Sequence, residues 1–129
     1  MKYTIVGNIG AKDYIEKVFG KLITDEIIVM DERLDHIKKR HAEDFELFKQ
    51  YLDIAVTNPD YVIKDYKNAN TIFMIKKLNN TNLNVVVKIA VDNTDNKYKN
   101  SVITFYRIRD KNLNKLIAKD ECMILYKRE

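Results

Sequence analysis

Cysteine occurs once, at Cys122, so this chain of 129 residues forms no internal disulfide, and a single thiolate cannot by itself nucleate a metal site. A reducing cytoplasm is the compartment that usage fits. Glycine occurs three times and proline once, which excludes collagenous and Gly/Pro-rich low-complexity chains. The chain has no glycine-rich phosphate loop and no GxSxG elbow, and neither histidine begins an HExxH zinc helix. Long apolar runs are missing too. The opening MKYTIVGNIG is too brief for a signal-peptide core, and no stretch approaches the roughly 20 apolar residues of a spanning helix. Asp92 and Asp95 lie in a loop without the glycine and terminal Glu of a calcium site, and HxxxxH has the wrong spacing for two ligands on one helical face. No metal or other cofactor is expected.

What is present is an ordered globule, 46% hydrophobic and 33% charged, of single-domain size. Its net charge of +4 conceals a polarised distribution. Residues 13–60 carry twelve acidic and seven basic side chains, whereas 61–129 carry fourteen basic and seven acidic. Lys97, Lys99, Arg107, Arg109, Lys111, Lys115 and Lys119 stand against Asp110 alone. That segment reads either as an anion-facing surface or as an ordinary solvated face.

KYTIV reads as a strand, and AKDYIEKVFG as a helix with Tyr14, Ile15 and Val18 inward and Gly20 as its stop. EIIVM is an unbroken apolar run, hence a strand. Asp31 is placed to cap a helix over ERLDHIKKRH, with Leu34 and Ile37 on one face. A second helix is predicted over 42–56, where Phe45, Phe48, Leu52 and Val56 form an apolar stripe that Leu47, Tyr51 and Ile54 widen. It ends at Asn58-Pro59. The character then changes to strands: YVIKDY, TIFMIKKL, NVVVKIAV and SVITFYRIR, separated by KNAN, NNTN and DNTDNKYKN. Short polar links predict an antiparallel meander with the most apolar run, NVVVKIAV, at its centre. KNLNKLIAKD is helix-compatible with Leu113, Leu116 and Ile117 inward, and CMILYKRE closes as an edge strand. The fold class is α+β: N-terminal helices packed across one face of a four-stranded, or slightly larger, antiparallel sheet.

Two histidines, His36 and His41, lie in DHIKKRH. In one continuous helix they diverge by about 140°. If the helix runs on, His41 joins the apolar stripe beside Leu34 and is structural, while Arg33, His36 and Arg40 share another face. If it ends near Arg40, His41 is released toward the cleft that His36 faces. Histidine titrates where proton transfer near neutrality needs it. RNA supplies its own 2′-hydroxyl nucleophile, so cleavage requires a base, an acid and cations for the phosphate, with no metal. Arg40, Arg107, Arg109 and Lys99 suit the phosphate. Thr104 and Tyr106 share one strand face, with Ser101, Phe105 and Arg107 on the other, though Thr and Tyr are common in strands for packing reasons alone. Cys122, in an apolar CMIL run, reads as a packed or surface thiol.

The pattern resembles the phage-associated barnase/EndoU/colicin/RelE-like (BECR) nucleases. The matching stretches are ITDEIIVMDERLDHIKKRHAEDFE, NPDYVI, VVVKIAV, KNSVITFYRIRDKNLNKLI and ILYKRE, from about residue 23 onward. The resemblance implies one BECR-like domain over 1–129, with 1–22 as an N-terminal strand and helix extension. It also implies RNA as substrate and a toxin-like endoribonuclease role on a phage or mobile element. Its site positions fall on His36, Arg40 and His41, with Ser101 and Thr104. One position departs: where relatives often carry proline after the second histidine, this chain has Ala42.

The expectation is a cytoplasmic, metal-independent endoribonuclease with His36 and His41 as acid and base, and Arg40 and Arg107 on the phosphate. Thr104 and Ser101 position the substrate, Arg109, Lys99 and Lys88 attract it, and Tyr106 and Tyr66 stack on unpaired bases. An acidic antitoxin or immunity protein would suit the basic half, and no membrane is involved. The competing reading is a non-catalytic RNA- or protein-binding module with the same fold.

Overall fold

The computed structural model describes residues 2–91, 99–119 and 123–128. Asp92, Asp95, Lys97 and Cys122, named above, lie outside the described residues. The strands are β1 (Tyr3–Asn8), β2 (Glu26–Met30), β3 (Tyr61–Lys64), β4 (Thr71–Lys77), β5 (Asn82–Lys88), β6 (Asn100–Ile108) and β7 (Ile124–Lys127). The helices are α1 (Lys12–Phe19), α2 (Asp31–Arg40), α3 (Phe45–Gln50), α4 (Leu52–Thr57) and α5 (Asp110–Lys119).

One sheet of seven strands runs in the order β1-β2-β6-β5-β4-β3-β7. The meander from β3 to β6 is antiparallel as predicted, with β5 in the middle of the sheet, and β7 is an edge strand. The sheet is nonetheless larger than four strands and is mixed. β2 joins β6 in parallel at Ile27↔Asn100 and Ile28↔Ser101, β1 pairs outside β2, and β7 adds to β3. This pairing joins segments some seventy residues apart, which chain order does not announce, although an unbroken apolar run such as EIIVM is what a strand buried on both faces requires. Asn100, fully buried, fastens the parallel pair: its Nδ2 donates to the carbonyls of Thr24 and Glu26, each at 2.9 Å, and its Oδ1 accepts from the Ala90 amide at 2.9 Å.

The helices are neither all N-terminal nor all on one side. The larger core joins Ile72, Met74, Leu83, Val85, Val87, Val102 and Phe105 of the sheet to Ile15, Ile37, Phe45, Phe48 and Val56 of α1 to α4. A second cluster on the opposite face packs Tyr61, Ile63, Ile75 and Ile108 against Leu113 of α5, with Leu116 and Ile117 partly buried beside them. Apolar residues at successive β4 positions made this double-sided burial necessary. The predicted helix over 42–56 is two short helices broken at Tyr51, whose amide donates to the Phe48 carbonyl at 3.1 Å. The stripe residues Phe45, Phe48, Leu52 and Val56 are buried on both sides of the break, while Leu47, Tyr51 and Ile54 stay exposed. Tyr14 and Val18 are also exposed, and only Ile15 of α1 is buried. Gly20 does end α1, with φ 97°.

Candidate active site

Asp31 is the first residue of α2, not its cap, so β2 runs straight into the helix, and the Asp31 amide donates to the Lys2 carbonyl at 3.1 Å. Because β2 contacts β6 only near Asn100 and Ser101, α2 lies beside the rest of β6. Ile37 is buried and Leu34 packs partly against the core, which anchors one side of the helix. Helical spacing then turns Arg33, His36 and Arg40 outward together.

At His41 the chain leaves the helix, with φ −131° and ψ 46°, although no proline follows. The His41 amide still donates to the Ile37 carbonyl at 2.9 Å, and the His41 carbonyl accepts from the Asp44 amide at 3.2 Å. Asp44 is held in turn by Arg107, whose Nη2 lies 2.9 Å from Asp44 Oδ1 while its guanidinium covers the Phe48 ring. Freed from the helix, the His41 imidazole stacks on the Tyr106 ring, centroids 5.9 Å apart and planes at 25°. The alternative of a core histidine within a continuous helix does not hold.

A β-bulge decides what β6 presents. Val86 pairs with Thr104 and Val87 with Val102, so Ile103 is the extra residue. Ser101, Thr104 and Tyr106 therefore oppose Lys88, Val86 and Asn84, alternate residues of β5 that share one face. The strict alternation read from the sequence had put Ser101 on the other face; the bulge returns it. Arg33, His36, Arg40, His41, Ile103, Thr104 and Tyr106 line one cavity of about 360 Å³. A second hollow of about 380 Å³ shares Tyr106 and continues over Asn112, Lys115, Leu116 and Lys119 of α5.

Among the described residues neither Arg33 nor Arg40 is in an ion pair, so the cavity faces solvent with uncompensated cations. Tyr106 Oη accepts a hydrogen bond from Asn84 Nδ2 at 3.1 Å. Asn84 is fully buried, and its Oδ1 has no hydrogen-bond partner among the described residues. A tyrosine hydroxyl that accepts at one side keeps its own proton for another acceptor, here anything bound in the cavity. The arrangement thus offers two imidazoles, two guanidiniums and two hydroxyls around one space, the groups that moving protons beside a phosphate requires.

The other expected residues lie farther off. Ser101 is two β5 positions from Thr104, about 7 Å along the sheet, and outside the cavity lining. Lys88 is exposed opposite Ser101. Arg109 is exposed, and its carbonyl accepts the amides that begin α5. Lys99 precedes β6, roughly 20 Å along the strand from Tyr106, and caps the ring of Tyr3 at 4.5 Å. Tyr66 is exposed beyond β3, where it meets Lys119. Arg33, placed beside His36 and Arg40 on one helix face, was given no role in the site, and Asn84 was not named. The Arg33–His36–Arg40 spacing signals the first; nothing local signals the second.

Among the described residues no three His, Cys, Asp or Glu side chains cluster as metal ligands would, and no helix is long and apolar enough to cross a membrane. No curated protein and no solved structure matches the chain significantly. The family model described as phage-Barnase-EndoU-ColicinE5/D-RelE like nuclease 2 matches residues 5–127, and the chain belongs to this nuclease family.

Proposed function

We propose that the chain is a metal-independent endoribonuclease, toxin-like and carried by a phage or mobile element. The observation that carries this reading is the convergence of His36, His41, Arg33, Arg40, Thr104 and Tyr106 on one solvent-facing cavity. In this scheme one imidazole takes the proton of the ribose 2′-hydroxyl, whose oxygen attacks the adjacent phosphorus. The P–O5′ bond breaks as the second imidazole gives its proton to the departing oxygen, leaving a 2′,3′-cyclic phosphate and a 5′-hydroxyl. Arg33 and Arg40 neutralise the charge gathering on the phosphoryl oxygens, and Tyr106, with Thr104 beside it, donates a hydrogen bond to one of them. Lys115 and Lys119 extend the cationic path along α5, and an acidic antitoxin or immunity protein that blocks it is the fitting partner in the cytoplasm.

Cleavage of single-stranded and transfer RNA in EDTA by the purified protein tests the reading. Fragments that disappear with His36→Ala support it. Binding of RNA without cleavage by the unaltered protein would leave a non-catalytic module.

A further inference from the structure

The cavity with the two histidines occupies one side of the α5-bearing face. Across that face the register runs Thr104, Val86, Phe73, Ile63 through β6, β5, β4 and β3. Two interstrand steps separate Thr104 from Phe73, about 10 Å. Beyond Val86, beneath α5, lies a further cavity of about 220 Å³ lined by Ile63, Lys64, Tyr66, Phe73, Leu116, Lys119 and Met123. Its walls are mostly apolar, and it adjoins the cationic hollow through shared residues of α5. Leu116 and Lys119 also line the hollow that holds Lys115 and Tyr106, and Tyr106 lines the cavity with the histidines.

Tyr66 stands at this cavity half exposed, at 50%. The Lys119 ammonium lies 4.3 Å from the centre of the Tyr66 ring and donates a hydrogen bond to its hydroxyl, and the Lys67 ammonium lies 5.7 Å from the same ring. An apolar slot with an aromatic at its mouth, rimmed by Lys64, Lys67 and Lys119, matches a ligand whose flat apolar part hangs from an anionic chain. A single-stranded polynucleotide has that chemistry. A peptide or a lipid tail would fill the slot as well but would leave the lysines at its rim without anionic partners.

We propose that this cavity is a nucleobase subsite: it takes one unstacked base of the RNA strand, a few nucleotides from the phosphate held by Arg33 and Arg40. Tyr66 stacks on the base and Lys119 meets the neighbouring phosphate. The assignment rests on the ribonuclease reading for the course of the strand, but it is testable without cleavage.

The test uses the full chain and a single-stranded octanucleotide whose 2′-fluoro sugars remove the nucleophile, with an abasic residue stepped through every position. One position is expected to weaken binding about tenfold, the loss that removing one base–ring stack produces. Tyr66→Ala should weaken the intact strand by the same factor and make that abasic position silent. Equal losses at every position, or an unchanged affinity of Tyr66→Ala, would overturn the subsite. Cleavage of the matching 2′-hydroxyl strand is scored separately. A position-dependent profile without cleavage supports the subsite and removes the nuclease reading, while a flat profile with cleavage removes the subsite alone.

Discussion

The His41 imidazole lies against the Tyr106 ring, 5.9 Å between centroids, at the point where α2 ends beside β6. That contact links the two stretches carrying the polar groups: DHIKKRH, which brings the cations and imidazoles, and NSVITFY, which brings the hydroxyls. Asn84 braces it from below by donating to Tyr106 Oη.

Asn84 is therefore a residue on which stability and function pull apart. Among the described residues its buried Oδ1 has no partner, and a leucine, branched at the same carbon, removes that cost. Asn84→Leu is expected to leave the melting temperature unchanged or raised while lowering RNA cleavage about five- to tenfold, one hydrogen bond's worth. Tyr106→Phe should cost about 100-fold, as the loss of one oxyanion donor does. Thermal melts beside initial cleavage rates check both variants. A destabilised Asn84→Leu with full activity would contradict the role given to Asn84.

Arg107 offers a second separation. It was expected on the phosphate, but its guanidinium pairs with Asp44, three residues past His41, and the half-exposed pair is worth no more than about 1 kcal/mol. Asp44→Asn should lower the cleavage rate several-fold through loss of His41 placement, with RNA affinity little changed. If Arg107 instead holds phosphate, releasing it from Asp44 would leave the rate intact and tighten binding. Fluorescence anisotropy and single-turnover kinetics distinguish the two.

For Arg40, which has no anionic partner among the described residues, the expectation is a direct phosphate contact. Arg40→Gln should weaken binding to all RNA sequences alike. It should also lower the slope of log affinity against log salt by roughly 0.7 for a single strand. A salt titration of both proteins measures this; an unchanged slope places Arg40 off the strand.

The Tyr66 hydroxyl is held below the usual tyrosine range, chiefly by the hydrogen bond from Lys119. A lowered value means that the folded chain favours the phenolate. The associated stabilisation is therefore complete above the ordinary tyrosine range and is lost as pH falls through the lowered value. Ultraviolet phenolate absorbance should show one tyrosine ionising ahead of the others, and Lys119→Met should abolish that early step. RNA affinity should fall over the same interval, because the phenolate repels phosphate.

Much of this was legible in the chain. Alternation and turn clusters gave the β3-to-β6 meander, and the Arg33–His36–Arg40 spacing gave one outward face of α2. What escaped were non-local events. The parallel contact of β2 with β6 depends on Asn100 reaching two carbonyls far away in sequence, those of Thr24 and Glu26. The bulge at Ile103 reverses the side on which Ser101 lies, and no residue in SVITFY marks it. The release of His41 without a following proline is enforced by tertiary contacts of Asp44 and Tyr106 that helical periodicity does not contain. The placement of α5 opposite the other helices followed only once both faces of β4 were seen to be apolar.

The central claim, that two imidazoles and two guanidiniums around Tyr106 drive attack by the RNA's own 2′-hydroxyl, is tested most directly by the ends of the products formed in EDTA. The account predicts 2′,3′-cyclic phosphate and 5′-hydroxyl termini, with rates at least about 100-fold lower for His36→Ala and for His41→Ala. Products with 5′-phosphate ends, an absolute requirement for a divalent cation, or full activity without either imidazole would contradict it.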